Sequence, residues 1–278
     1  MTRSFTRVLS DVHFGERAGT VTDLRQLDPL FADAATVVFN GDTIDTRPHP
    51  RAGLVDQLKA DLTAWLHGRP AILLTGNHDP EITALHHLDL AGGAVFVTHG
   101  DIVFDDIVPW SIDASFIGQL VRRERNSDST LTLADLLAAH RRAAWRIPRR
   151  LQSDVPPLQA IGNLLADTVW PPLRIPRILR AWAQLPARLA AFAASHRPQA
   201  RCLLAGHTHH PGVWPRPDGR VVINTGSYCL PFGRLVVDVA ADHVIVRRVR
   251  RRGLDYVPAA TVTEISLAPT GNSPRPAA

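Results

Sequence analysis

Near its start the chain reads Arg7-Val-Leu-Ser-Asp11-Val-His13, a short apolar run that ends in two polar residues. Such runs, rich in β-branched and other apolar residues, predict buried strands. Side chains two positions apart in an extended chain face the same way, so Asp11 and His13 can reach one ion. A second run, Cys202-Leu-Leu-Ala-Gly-His-Thr-His209, repeats the arrangement with two histidines. Two distant strands are therefore predicted to offer ligands to one cavity.

Side chains that bind metals follow apolar, β-branched runs at five places along the chain. We expect a set of buried strands to deliver these side chains at their carboxyl ends. Carboxylate oxygens and imidazole nitrogens favour manganese, iron or zinc over calcium, and the absence of cysteine from the set argues against a structural zinc site. The set predicts a site for two divalent metal ions, with manganese expected and iron or zinc as alternatives. The five segments are Asp11-Val-His13, Gly41-Asp-Thr-Ile-Asp45, Gly76-Asn-His-Asp79, His99-Gly-Asp101 and Gly206-His-Thr-His209.

In type and order these segments resemble the calcineurin-like metallophosphoesterase superfamily, whose pattern runs D-x-H, G-D-x-x-D, G-N-H-D/E, H and G-H-x-H. The resemblance implies two metal ions that share one bridging ligand, Asp42. It assigns the first ion to Asp11, His13, Asp42 and His209. It assigns the second ion to Asp42, Asn77, His99 and His207.

The resemblance also implies a catalytic residue that does not bind metal. His78 matches the family's histidine that stabilises the transition state or protonates the leaving group, and Asp79 is expected to orient its ring. Asp45 is expected to orient a loop or a ligand imidazole rather than to bind metal itself. The implied activity is hydrolysis of a phosphate ester or pyrophosphate bond by a hydroxide held between two metal ions.

Strand-like and helix-like segments alternate through the first third of the chain, which predicts an α/β fold. The final third reads as strands joined by short turns and suggests an antiparallel second sheet. The family resemblance implies a metallophosphoesterase-type four-layer α/β/β/α sandwich of two mixed sheets. We expect residues 1–257 to form one domain, with a helical cap insertion at 110–199, and residues 258–278 to form a disordered tail. Pro186 is expected to divide or kink a helix of the insertion.

The insertion carries the positive charge of the chain. It contains thirteen arginines and six acidic residues, whereas the net formal charge of all 278 residues is +5. Guanidinium groups hold phosphates through paired hydrogen bonds, and substrate binding is expected at Arg122, Arg123, Arg141 and Arg146. With the tryptophans between them, the arginines could equally lie on an anionic membrane or form a solvated helical face. A charge surplus confined to one insertion without a base-reading motif argues against nucleic acid as a partner.

Within the superfamily, three features are similar to the UDP-2,3-diacylglucosamine hydrolase group: the start Ser10-Asp-Val-His-Phe-Gly15, the segment His99-Gly-Asp101 and a helical insertion after it. The likeness implies cleavage of the pyrophosphate in a nucleotide-linked glycolipid. One position departs from that group, which typically has arginine where this chain has His78. Two alternatives stay open. One is a generic phosphomonoesterase or phosphodiesterase acting on a soluble nucleotide or phosphoprotein, and the other is a non-catalytic scaffold that binds a membrane or a protein.

The sequence also bounds the compartment in which we expect the protein. The segment Met1-Thr-Arg-Ser-Phe-Thr6 lacks the apolar region of an export signal. Cys202 and Cys229 are the two cysteines of the chain and lack the C-x-x-C spacing. We therefore expect a cytoplasmic protein, with peripheral contact to the inner face of the cell membrane as an option.

Overall fold

The computed structural model describes residues 4–49, 51–125, 131–147 and 174–268. Four α-helices lie in these ranges, and none of the described helices is long and apolar enough to cross a membrane. The helices are α1 (Leu54–Leu66), α2 (Ala114–Arg125), α3 (Leu133–Trp145) and α4 (Arg174–His196).

A six-stranded mixed sheet contains the first and the last of the described strands. Its members are β1 (Thr6–Leu9), β2 (Thr36–Asn40), β3 (Ala71–Leu74), β9 (Leu235–Val239), β10 (His243–Arg252) and β11 (Asp255–Ser266). Their order across the sheet is β11-β10-β9-β1-β2-β3. The first three strands run parallel, and β9 joins them antiparallel beside β1, with Thr6 opposite Val239.

A five-stranded mixed sheet lies against the first. Its members are β4 (His87–Leu90), β5 (Val95–Thr98), β6 (Cys202–Ala205), β7 (Gly212–Pro215) and β8 (Val221–Asn224). Their order is β4-β5-β6-β8-β7, with three parallel central strands and an antiparallel strand at each edge. The expectation that the final third forms one antiparallel sheet is therefore wrong. Strands β6 to β8 join this sheet, whereas β9 to β11 return to the first sheet because β9 pairs with β1.

Three apolar layers confirm the predicted four-layer sandwich. The central layer joins the two sheets, with Val8 and Val38 from one against Val97 and Leu204 from the other. A second layer packs the outer face of the first sheet on α1 and on a short 3₁₀ helix, Leu24–Leu30. The third layer packs the outer face of the second sheet on α3 and α4 and includes Leu133, Leu137, Leu189, Phe96 and Leu203. Burial of this kind contributes roughly 1.5–3 kcal/mol for each large apolar side chain.

Two helices of the insertion form one layer of the sandwich. Helix α3 begins at Thr132, whose hydroxyl accepts a hydrogen bond from the Asp135 amide while the Asp135 carboxylate accepts from the Thr132 amide. Helix α4 continues through Pro186 as one element, so this proline does not divide it. Both helices pack on the second sheet through their apolar faces, and they therefore form its outer helical layer.

The C-terminal part of the chain is more ordered than its composition suggests. Residues 258–266 belong to β11, so the expectation that a disordered tail begins at residue 258 is wrong for this stretch. The strand pairs along β10 from Arg252 opposite Asp255 to His243 opposite Ser266, and the following Leu267 is buried. Alternating β-branched residues, Thr261, Thr263 and Ile265, suit this pairing. The rest of the predicted tail, residues 269–278, lies outside the described residues.

Candidate metal centre

The predicted metal ligands gather at the carboxyl ends of five strands, as the sequence indicated. They come from β1, β2, β3, β5 and β6, whose ends meet along one edge of the sandwich. Six of these side chains are almost fully buried, whereas His209 keeps 22% of its side chain exposed. The six buried residues are Asp11, His13, Asp42, Asn77, His99 and His207. The centre is therefore shielded from solvent on most sides and reached past His209.

Backbone geometry sets the ligand-bearing turns apart from ordinary loops. The described residues other than glycine include seven with positive φ, and five of these are predicted ligands. Such a conformation is uncommon for residues with a Cβ and persists where the surroundings fix it, often at functional sites. The five angles are 54° for Asp11, 50° for His13, 54° for Asp42, 67° for His207 and 57° for His209. The neighbouring Gly76 and Gly206 have no room for a Cβ, which would overlap the carboxylates of Asp42 and Asp11.

The first half of the centre joins Asp11, His13 and His209. The Nε2 atoms of the two histidines lie 3.1 Å apart, and the His209 Nε2 atom lies 3.2 Å from Asp11 Oδ1. Ligand atoms that bind one cation at about 2.1 Å are separated from each other by roughly 3 Å. Burial and the neighbouring His78 lower the pKa of His13 to about 3, so this ring is neutral and can donate a lone pair to a cation.

The second half of the centre joins Asn77, His99 and His207. The His99 Nε2 atom lies 3.3 Å from Asn77 Oδ1, and its Nδ1 atom donates to the Asn40 carbonyl at 3.0 Å. The His207 Nε2 atom in turn lies 2.8 Å from the Ile107 carbonyl. Hydrogen bonds of this type fix the tautomer of a ligand imidazole. They leave Nε2 of His99 and Nδ1 of His207 as the nitrogens that can bind metal.

Asp42 lies between the two halves. Its Oδ2 atom is 3.8 Å from His13 Nε2 and 3.3 Å from His99 Nε2, so one carboxylate faces ligands of both predicted ions. Burial acts to lower the pKa of His99, yet the carboxylates of Asp42, Asp11 and Asp101 outweigh it and raise that pKa to about 10. The centre therefore favours positive charge strongly. Its donor set fits two divalent cations that share Asp42.

The predicted catalytic residue His78 lies beside this centre, with a ring nitrogen within 4.8 Å of ligand atoms of His13 and Asp42. Its ring meets the His13 ring edge-on at a centroid distance of 4.9 Å, and 29% of its side chain is exposed. Its Nδ1 atom lies 3.2 Å from Asp45 Oδ2 and 3.0 Å from an Arg47 Nη atom. Burial and Arg47 act to lower the pKa of His78, but Asp42 and Asp45 outweigh them and raise it.

The expectation that Asp79 orients the His78 ring is wrong, because Asp45 occupies that position. The Asp79 carboxylate is fully buried and accepts hydrogen bonds from the amides of Asp42, Thr43 and Gly76 at 2.6–2.9 Å. It thereby joins the loop after β2 to the loop after β3. Asp79 is a positioning residue for the bridging Asp42 and does not contact the His78 ring.

Two residues near the centre were not predicted from the sequence. Arg47 makes two hydrogen bonds through its side chain to the Asp45 carboxylate and so holds the partner of His78 in place. The five ligand segments contain no cysteine. In the structure, however, the Cys229 Sγ atom lies within 4.8 Å of the ligand nitrogens of His13 and His209. The D-x-R spacing of Asp45 and Arg47 is too common to signal Arg47. No local signal marks Cys229, since the chain folds back to bring it near.

The four predicted substrate-binding arginines have different surroundings. Arg141 is buried and donates to both oxygens of Asp101, so it serves the packing of the insertion helices. Arg146 pairs with Glu124 but keeps 55% of its side chain exposed. Arg123 is exposed on α2, and Arg122 lines a cavity beside that helix. The prediction of substrate binding is therefore corrected for the buried Arg141, and it stays a prediction for Arg122, Arg123 and Arg146.

Helix α4 reaches the metal centre through Trp182. The indole N–H donates to the Thr208 carbonyl at 2.8 Å, and the ring stacks on His210 at a centroid distance of 4.4 Å. Phe232 contacts both Trp182 and His209 edge-on. The insertion therefore supports the loop that carries His207 and His209.

A family model for calcineurin-like phosphoesterases matches residues 7–211, which include every predicted ligand. The chain belongs to the calcineurin-like phosphoesterase family. Members of this family typically bind two divalent metal ions, and the histidine and aspartate clusters of this chain can hold them. A search of curated proteins found no significant match to the sequence.

Solved structures similar to this chain come from several organisms. A conserved protein of Streptococcus pneumoniae TIGR4, described as a predicted phosphoesterase, is 16% identical, with a TM-score of 0.42 and coverage of 96% of this chain and 99% of that one. A dimetal phosphatase from Danio rerio is 14% identical, with a TM-score of 0.44 and coverage of 93% and 99%. Vacuolar Protein Sorting 29 from Cryptosporidium parvum is 11% identical, with a TM-score of 0.42 and coverage of 96% and 100%.

Proposed function

We propose that this protein is a metal-dependent hydrolase of phosphate ester or pyrophosphate bonds. The observation that carries the proposal is the convergence of all seven ligand side chains on one centre, with Asp42 facing both halves. When bound, two divalent cations supply the charge that activates water and offsets the negative phosphoryl oxygens. A non-catalytic scaffold has no need of this complete set, which is why we favour an enzyme.

The protein's own residues supply the proton in this proposal. Asp45 accepts from the Nδ1 atom of His78, and the raised pKa of His78 favours the protonated form of the ring. The Nε2–H group is then the ring's remaining donor and can protonate the leaving oxygen. Arg47 keeps Asp45 ionised and in place, since the two are joined by two side-chain hydrogen bonds.

The finer substrate assignment rests on the sequence resemblance and on the charge of the insertion. We propose cleavage of a pyrophosphate in a nucleotide-linked glycolipid such as UDP-2,3-diacylglucosamine, by a cytoplasmic protein that contacts the inner face of the membrane. Manganese is the proposed metal. The alternative is a phosphomonoesterase or phosphodiesterase acting on a soluble nucleotide or phosphoprotein, and the presence of His78 in place of the group's arginine favours it.

One assay tests the class and the substrate together. Purified protein with manganese is offered UDP-2,3-diacylglucosamine and a bis-aryl phosphodiester, and release of UMP and of the aryl alcohol is followed. Preference for the lipid, with UMP as product, supports the glycolipid assignment. Turnover of the aryl ester alone supports the alternative substrate class. Failure to turn over either substrate with metal bound contradicts the proposed hydrolase.

A further inference from the structure

A second cavity lies beside the metal centre, with walls that contain none of the predicted metal ligands. Its volume is about 420 Å³, within the range of small-molecule binding sites. It is bounded by the segment from Phe104 to Pro109, by α2 and by α4. Four of the lining residues are arginines: Arg122, Arg177, Arg180 and Arg188.

The charge of this cavity is incompletely balanced by the protein. Asp105 and Asp106 are the acidic residues of its lining. Asp105 also forms an ion pair with Arg125, with 3.7 Å between the carboxylate oxygen and the guanidinium nitrogen. Arg188 donates to the Val103 carbonyl and lies over the Phe104 ring. Within the described part of the chain, Arg177 and Arg180 make no hydrogen bond or salt bridge to another side chain, and Asp106 interacts electrostatically with Arg188 and Arg177.

Clustered guanidinium groups repel one another unless an anion lies between them. Arginine favours phosphate, because its planar group donates two parallel hydrogen bonds to phosphate oxygens. Arg177 and Arg180 lie three residues apart on one helix and can therefore act on one ligand. Arg122 comes from α2, so the arginines that line the cavity are supplied by two different helices.

The wall of the cavity is also a wall of the metal centre. Ile107, whose carbonyl lies 2.8 Å from His207 Nε2, belongs to the segment that bounds the cavity. Phe104 lines the cavity and its ring lies 5.9 Å from the His207 ring. The cavity is thus adjacent to the centre but separated from it by this segment.

We propose that the cavity binds a phosphate group outside the metal centre, held by Arg177 and Arg180 of α4 and by Arg122 of α2. The two helices also carry exposed apolar residues, with Phe116 47% and Leu179 53% exposed. The phosphate group therefore belongs either to a soluble ligand or to a lipid headgroup. This site goes beyond the proposed hydrolase activity and does not depend on it.

Arginine labelling tests the proposal residue by residue. The metal-loaded protein is treated with phenylglyoxal in the presence and absence of inorganic phosphate, and the modified arginines are identified by mass spectrometry. Labelling of Arg177 and Arg180 should slow about tenfold when phosphate is about ten times its dissociation constant. Arg250 and Arg252, exposed on β10 and outside the cavity, should react at an unchanged rate.

Matched variants extend the test. In Arg177→Ala/Arg180→Ala, phosphate should no longer protect Arg122, because the loss of two charged donors weakens binding at least about tenfold. In the control Arg250→Ala/Arg252→Ala, protection of Arg122 should remain. Circular dichroism establishes that both variants are folded.

Vesicles distinguish the two sources of the phosphate group. The same labelling is repeated with phosphatidylcholine vesicles that contain or lack phosphatidylglycerol. Protection only by phosphatidylglycerol assigns the cavity to a lipid headgroup, and protection by free phosphate assigns it to a soluble ligand. If neither probe protects Arg177 and Arg180 more than Arg250 and Arg252, the proposal is overturned.

Discussion

Both terminal nitrogens of Arg141 donate to the two carboxylate oxygens of Asp101, at 2.6 and 2.8 Å. The pair is buried and joins α3 to the turn that follows β5. His99, a predicted ligand, lies two residues before Asp101. The insertion is thereby fixed to the strand end that carries part of the metal centre.

Arg141→Met should lower the free energy of unfolding by about 3–5 kcal/mol, since it leaves a buried carboxylate without its partner. Urea denaturation of the metal-loaded protein measures the change. Arg142→Ala is the matched control, because Arg142 is 56% exposed and its pair with Glu124 should contribute less than about 1 kcal/mol. Equal losses in the two variants would show that the buried pair has no special role.

Asp42→Asn should abolish turnover and reduce the bound metal, because it removes the carboxylate that faces both halves of the centre. His78→Ala should lower kcat by about 10²–10⁴-fold and leave the metal content nearly unchanged, since His78 is not among the seven predicted ligands. Metal analysis of the purified proteins beside the kinetics separates the two effects. Loss of metal in His78→Ala would identify His78 as a ligand.

Asp45→Asn should shift the pH dependence of activity. Asp45 helps to raise the pKa of His78, so its neutralisation lowers that pKa. The His78 ring then loses its proton at a lower pH, so the descending limb of the pH profile of kcat/KM should move to lower pH. Asp79→Asn is the comparison, because Asp79 bonds backbone amides instead of His78. It should reduce stability, and an equal shift of the limb in this variant would contradict the assignment.

Removal of metal should expose Cys229 to alkylation. Its Sγ atom lies within 4.8 Å of ligand nitrogens of His13 and His209, and bound metal holds those rings together. Treatment with a chelator and iodoacetamide, followed by mass spectrometry, should give faster labelling of Cys229 than in the loaded protein. Cys202 is an internal control, because it is fully buried in β6 and belongs to the central apolar layer. If both cysteines respond equally, the chelator has unfolded the protein.

Local sequence determined the part of the fold that depends on short-range pattern. Apolar runs predicted the strands that carry the ligands, and a strand of the structure ends just before each of the five ligand segments. The D-x-H and H-x-H spacings placed two ligands at one strand end in each case. The start of α3 depends on local sequence in the same way, because its capping box lies within the four consecutive residues from Thr132 to Asp135.

Tertiary structure decided the contacts between residues far apart in the sequence. Asp45 meets His78 across 33 positions and Arg141 meets Asp101 across 40, so no local spacing could show that Asp45 replaces Asp79 or that Arg141 is structural. The sequence did not predict strand β11 for a similar reason, because its order comes from pairing with β10. The donor atoms of the centre could be predicted from the sequence, since they depend on residue type and strand position. The fold alone decided which side chains orient them, because hydrogen bonds need atoms to meet in space.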